Sequence, residues 1–291
     1  MPRITPILSH SDLLMSARSL PGNMPPGAID AHAHVFDRDL PMIAQRRYTP
    51  DYPAPLGRYL SLLHDHGLAG GVLVQPSFLG YDNRHLLRCL RQAKGLCKGV
   101  VALDPATPKA ILHEMAHAGV VGARMNLFGQ DLPGFQNETW RRFLSEARQL
   151  DWHIEVHCPV TQLPDVLPPL LAFDCKIVID HFGRPDYESG IDLSTLDYLC
   201  GLAQTQRVWV KLSAAYRVWS EKTIAQSSLV AHRLLQAFSA RRLVWGSDWP
   251  HTEHEASAGF DRALQHLADW IPQEEDRFAI LVDTPRLLFQ F

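Results

Sequence analysis

The sequence predicts a single α/β domain folded as a distorted (β/α)8 TIM barrel over residues 28–291, preceded by an N-terminal arm over residues 1–27. Three observations predict it. Short apolar segments alternate with longer amphipathic ones along the chain, the pattern of repeated βα units around a parallel sheet. A chain of 291 residues that is 46% hydrophobic and 20% charged suits one barrel of this kind. No G-x-G-x-x-G turn follows any of the apolar segments, so the phosphate cradle of an open nucleotide-binding sheet is missing.

The strand candidates centre, in order, on Ala28–Ala31, Gly71–Gln75, Gly99–Leu103, Gly122–Met125, His153–His157, Lys176–Asp180, Val208–Leu212 and Leu243–Gly246. Eight units favour a closed barrel over an open sheet. Helical stretches lie between them, among them Asn83–Lys94, Pro108–Ala118, Glu138–Leu150, Ile224–Phe238 and Phe260–Trp270, with Gly or Pro near most boundaries. The first connection is long. From Phe36 to Gly57 it carries Pro41, Pro50, Pro53 and Pro55 beside Tyr48 and Tyr52, which makes it a candidate lid.

Composition excludes several classes of function. A formal net charge of -3, with 28 Lys+Arg against 31 Asp+Glu and no basic stripe, argues against nucleic acid as a partner. The cysteines Cys89, Cys97, Cys158, Cys175 and Cys200 are scattered and form no C-x-x-C pair, so they read as reduced thiols. No apolar run approaches membrane-spanning length and no signal-type core forms before Pro26; a cytoplasmic protein is expected.

The chemistry concentrates at strand ends. In Ile29-Asp30-Ala31-His32-Ala33-His34 the histidines stand two apart, so both can project toward one volume and either ligate a metal or polarise a substrate oxygen. Asp248 follows Leu243-Val244-Trp245-Gly246-Ser247, where a carboxylate can take a proton from an attacking water. His157 and His181 end the fifth and sixth strands. Arg124, Arg184 and Arg217 join the same rim and suit bidentate capture of a carboxylate; Arg184 has Asp186 close by as a competing partner, which makes Arg124 and Arg217 the better substrate contacts. Ser77 is a candidate pocket hydrogen bonder.

Two spellings are decoys. His113-Glu114-Met115-Ala116-His117 matches H-E-x-x-H, but its helix would belong to the outer layer of the barrel. His64-Asp65-His66 lies in a helical stretch, Arg58–His66, where residues two apart diverge.

Taken together, His32-Ala33-His34, Val74-Gln75-Pro76-Ser77, Gly122-Ala123-Arg124-Met125-Asn126, Asp180-His181-Phe182-Gly183-Arg184-Pro185-Asp186 and Trp245-Gly246-Ser247-Asp248-Trp249-Pro250-His251 resemble the amidohydrolase superfamily, in the branch that holds 2-pyrone-4,6-dicarboxylate lactonase and related sugar-acid lactonases. The resemblance implies hydrolysis of a carboxylated lactone, with Asp248 activating water and His32, His34 and His181 holding or polarising the carbonyl. It implies substrate contacts from Arg124, Arg184, Arg217 and Tyr48. Two positions depart from the pyrone lactonase: Gln130 stands where that enzyme has an arginine, and His157 where it has a tyrosine. The resemblance implies turnover without a cofactor; the alternative is one divalent metal, Zn2+ or Mn2+, on His32, His34, His157 and Asp248. The rival functions are metal-dependent non-oxidative decarboxylation and a non-catalytic carboxylate-binding barrel. Oligomeric state is not legible in the sequence.

Overall fold

A computed structural model describes residues 24–185 and 192–291, and in it eight parallel strands stand side by side in sequence order. They are β1 (Ile29–Ala33), β2 (Gly70–Val74), β3 (Cys97–Val101), β4 (Val120–Asn126), β5 (His153–His157), β6 (Lys176–Ile179), β7 (Val208–Ser213) and β8 (Leu243–Gly246). Every expected strand is present, its ends displaced by at most two residues. The helices are α1 (Leu56–Asp65), α2 (Arg84–Ala93), α3 (Lys109–His117), α4 (Glu138–Gln149), α5 (Leu163–Leu171), α6 (Leu193–Gly201), α7 (Gln226–Phe238), α8 (Phe260–Trp270), α9 (Glu274–Phe278) and α10 (Thr284–Leu288). None is long and apolar enough to cross a membrane. The N-terminal arm lies outside the described residues up to position 23, as does Asp186.

Strands of a parallel barrel are covered on both faces and therefore read as apolar runs with a short period. One set of their side chains, including Val72, Val74, Val100, Val178 and Val244, forms a compact inner cluster closed by Leu288 and Phe289 of the C-terminal segment. The alternate set, including Leu73, Val101, Ile177, Ile179 and Trp245, packs outward against the helices. Helix α5 carries Pro168 and Pro169 inside it. It forms because Leu163, Val166, Leu167 and Leu170 are buried along one side, and that packing outweighs the missing backbone donors.

Strand β1 departs from simple alternation, and the departure aims the histidines. Ile29 and Ala31 belong to the inner cluster, so His32 would point outward on a regular strand. A register irregularity between Asp30 and Ala33 turns it inward instead.

Strands β8 and β1 meet at a seam held by more than a ladder. The Asp30 carboxylate accepts from Ser247 N at 2.8 Å, Ser247 Oγ at 2.6 Å, Tyr59 Oη at 3.0 Å and His32 N at 3.1 Å. Backbone donors complete the closure, from Asp248 N to the His32 carbonyl at 2.9 Å and from His34 N to the Trp249 carbonyl at 2.7 Å. Gly246 permits this approach, since a Cβ there would stand 2.6 Å from His32 Cβ. The seam thus fixes Asp248 directly against the β1 histidines.

Candidate active site

At the C-terminal ends of the strands a cavity of about 340 Å³ opens, lined by His34, Ser77, Arg124, His157, His181, Arg184, Arg217 and Asp248 from the ends of seven different strands, with Arg47 and Tyr48 contributed by the first loop. This is where barrel enzymes place their chemistry. His32 is fully buried one layer below, outside the lining. Gln130 is exposed on the loop after β4 and also does not line the cavity. Both decoys lie elsewhere: His113 of α3 pairs with Glu146 of α4 at 2.6 Å, and His66 beside α1 pairs with Asp261 at 2.8 Å.

Asp248 is held in a left-handed backbone conformation at φ 58°, an unfavourable setting for a residue other than glycine that only a well-determined site sustains. Its Oδ2 accepts from Arg217 Nε at 2.7 Å and Tyr216 Oη at 2.6 Å. Its Oδ1 is buried with no hydrogen-bond partner and faces His32 Nε2 at 3.6 Å and His34 Nε2 at 3.7 Å. Burial alone would raise this carboxyl, but Arg217 and the neighbouring imidazoles outweigh it and hold the group well below the usual carboxylate range. Asp248 is therefore an ionised carboxylate with one oxygen anchored and one available.

The imidazoles are kept neutral. Burial pushes His34 down to about 4 and His181 to about 3, in each case against the pull of Asp248. His34 Nδ1 donates to the Val74 carbonyl at 2.8 Å, and His181 Nδ1 contacts Ser213 Oγ at 2.8 Å. His157 pairs Nδ1 with Asn126 Oδ1 at 2.9 Å, while its Nε2 is buried with no partner.

The arginines divide differently from the expectation. Arg124 is committed to Asp180 Oδ2 at 2.8 Å and Glu155 Oε1 at 3.2 Å, and Arg217 to Asp248 and to Thr252. Both of the favoured carboxylate contacts are thus engaged by the protein itself. Arg184 instead donates to the Arg217 carbonyl and lies 4.8 Å over the ring of Phe128, with no carboxylate partner among the described residues. Arg47 stands over the same ring at 5.0 Å. Burial, Arg217 and Arg47 push Arg184 down to about 10, the response of a cation held near other cations. Tyr48 lines the cavity and donates its hydroxyl to Glu255 at 2.7 Å.

Sequence reasoning missed Arg47 and, below the cavity, Lys211. Lys211 is fully buried, its Nζ meeting the Glu155 carboxylate, Asp180 Oδ1 at 3.2 Å and His32 Nδ1 at 2.9 Å. The signal was present: Lys211 and Glu155 are charged residues in the middle of apolar strands, and such residues are buried only when paired. Donor atoms of His32, His181 and Asp248 lie within 4.8 Å of one another, as do those of His32, Glu155 and Asp180. The second trio already encloses the Lys211 ammonium. His157 belongs to neither trio.

The sequence profile of the amidohydrolase family matches residues 29–291. A 4-sulfomuconolactone hydrolase of Rhizobium radiobacter is 31% identical over 283 residues, covering 94% of this chain and 94% of that protein. A 2-pyrone-4,6-dicarboxylate hydrolase of Comamonas testosteroni is 30% identical over 280 residues, covering 91% of each. A crystal structure from Pseudomonas putida, provisionally designated a 2-pyrone-4,6-dicarboxylic acid hydrolase, superposes with a TM-score of 0.85 at 44% identity, covering 92% of this chain and 98% of that one.

Proposed function

The chain belongs to the amidohydrolase family, and we propose that within it this barrel hydrolyses a small lactone carrying two anionic groups, by attack of an Asp248-activated water on the ring carbonyl. The observation that carries the reading is the available Oδ1 of Asp248, which faces the cavity's reacting end while Arg217 and Tyr216 anchor the other oxygen. A water donating to Asp248 Oδ1 meets the one oxygen that the anchored carboxylate leaves open, the arrangement general-base attack needs.

The steps follow from these positions. Asp248 takes a proton as the water oxygen bonds to the acyl carbon, and the oxyanion that forms is stabilised by the cavity lining, His181 and the arginine charges among it. The ring C–O bond then breaks, and the proton held by Asp248 passes to the departing alkoxide or enolate oxygen. One water is consumed and the ring opens to a hydroxy acid or its enol form. Ser77 and Tyr48 border the substrate volume; Arg47 and Arg184 meet its anionic groups.

A divalent ion held by His32, His34, His157 and Asp248 would supply Lewis acidity and an acidic water when bound. The residues do not fit it: His32 can ligate through Nε2 only if Nδ1 carries the proton, and Nδ1 is turned to an ammonium that can only donate. No step above uses a metal, and a decarboxylation that relies on one meets the same obstacle.

The test is a substrate panel of pyrone dicarboxylate, sulfonated muconolactone and neutral lactones of similar size. Ring opening of the dianionic members at a kcat/KM at least about 100-fold above the neutral ones is expected, the value of two charge-assisted contacts. Preference for neutral lactones, or CO2 release without ring opening, overturns the proposal.

A further inference from the structure

The mechanism leaves Lys211 without a task, although its burial is costly. A lysine ammonium withdrawn from water has to be answered by acceptors, and here it finds the Glu155 and Asp180 carboxylates and a ring nitrogen, His32 Nδ1.

The protons of the β1 histidines can be placed from both ends of the chain of contacts. At one end His34 Nδ1 meets the Val74 carbonyl, which only accepts, so this nitrogen carries a proton. At the other end an ammonium only donates, so His32 Nδ1 is a bare acceptor. Between them His32 Nε2 and His34 Nε2 stand 3.2 Å apart, a distance at which two lone pairs repel unless a proton lies between. A proton on His34 Nε2 would make that ring a cation and leave His32 with none, an imidazolate. A proton on His32 Nε2 leaves both rings neutral and makes every contact run from donor to acceptor.

We propose that Lys211 is a positioning residue: it fixes His32 as the Nε2–H tautomer, so that His32 acts as a hydrogen-bond donor beside Asp248, and its ammonium stands in for the cation that this cluster of ligands would otherwise draw in. His34 Nε2 commits its lone pair to the His32 proton, and Asp248 Oδ1, 3.6 Å from His32 Nε2 and without a hydrogen-bond partner, is the acceptor left for water. The arrangement also predicts what happens without the lysine. His32 Nδ1 is 3.5 Å from Asp180 Oδ1 and 3.8 Å from Glu155 Oε1. With Lys211 gone, Nδ1 would take the proton and donate it to Asp180, freeing Nε2; a histidine backed by a carboxylate in this way is the usual metal ligand.

The proposal rests on the hydrolase reading only for the identity of the reacting water. Both of its measurements are made without substrate, so failure of one is distinguishable from failure of the other. In wild-type protein labelled with 15N-histidine, with His32 assigned by its loss in His32→Gln, two-bond ring correlations should show a neutral ring protonated at Nε2. A ring protonated at Nδ1 overturns the proposal. In the second measurement Lys211→Met is combined with Glu155→Gln, which removes one charge of each sign from the cluster. Calorimetric titration with Zn2+ should show binding at least about 100-fold tighter than to wild type, the scale on which second-layer partners set metal affinity. Equal affinity in the two proteins overturns it. The wild-type spectrum needs no change at the lysine, so the question stays decidable if the double variant does not fold.

Discussion

Replacing Asp248 with asparagine separates the role of base proposed for it from its structural one. The amide can keep an oxygen where Oδ2 now accepts from Arg217 Nε and Tyr216 Oη, and its NH2 then takes the place of the present Oδ1, which makes no hydrogen bond. The shape of the site survives, but the base does not. A positioned general base is worth about 100- to 10,000-fold, so kcat should fall about 1,000-fold, equivalent to about 4 kcal/mol in the barrier. Arg217 also loses its buried counter-charge, a change of about 3 kcal/mol when an acceptor oxygen remains, which for a domain of this size lowers Tm by about 5–10 °C. The assay is steady-state ring opening, with binding of a non-hydrolysable dicarboxylate by calorimetry as the control. Arg47 and Arg184 are untouched, so the dicarboxylate Kd should stay within about 10-fold of wild type. A variant that turns over within about 10-fold of wild type would refute Asp248 as the base, and one that loses the dicarboxylate as well would place it in binding instead.

Arg184→Ala should raise KM for a dianionic lactone about 10- to 100-fold while kcat changes less than about 3-fold, because among the described residues its guanidinium has no carboxylate partner to leave behind; an unchanged KM removes it from the anion site. The pH profile should be flat through the neutral range. Asp248 must be ionised and His34 and His181 neutral; the first is held well below the carboxylate range and the others at about 4 and about 3, so kcat/KM should fall only as pH drops below about 4. A limb centred at the ordinary histidine value would contradict these environments. Asp30→Ala strips the acceptor from Ser247, Tyr59 and the His32 amide at the β8–β1 seam, and should cost about 3–5 kcal/mol. Thermal denaturation would read this as a Tm lower by about 5–15 °C, and a shift under about 2 °C would show that the seam is held by the backbone alone.

What could be read in the sequence was whatever depends on spacing along one strand. The eight strands announce themselves through apolar runs, and His32, His34, His181 and Asp248 through their places just at or beyond strand ends. What could not be read depends on partners brought together by closure of the barrel. Arg124 carries the same sequence signature as Arg184, yet Asp180 and Glu155 of neighbouring strands claim one guanidinium and not the other. Lys211 lies 56 positions from Glu155 and 179 from His32 in the chain, so no local pattern joins them. Arg47 adjoins Tyr48 in a loop with no periodicity, and only the ring of Phe128 beneath it reveals its role.

The charges of the site fall into two levels, and the difference between them supports the proposal of an anionic substrate. Below, Lys211 and Arg124 face Glu155 and Asp180, and Arg217 faces Asp248; each cation is answered by a carboxylate at short range, so this level offers a ligand no unmatched charge. Above, Arg47 and Arg184 share the Phe128 ring and repel one another and Arg217. Glu253 lines the same cavity and its charge favours all three cations, but it forms no ion pair with Arg47 or Arg184, and Arg184 is still pushed down by its cationic neighbours. A carboxylate or sulfonate entering this level relieves repulsion as well as gaining hydrogen bonds, whereas a neutral lactone leaves the repulsion in place and must also displace the water that screens it. On the proposed reading, selectivity for anions is set above the reacting carbonyl and its proton chemistry below.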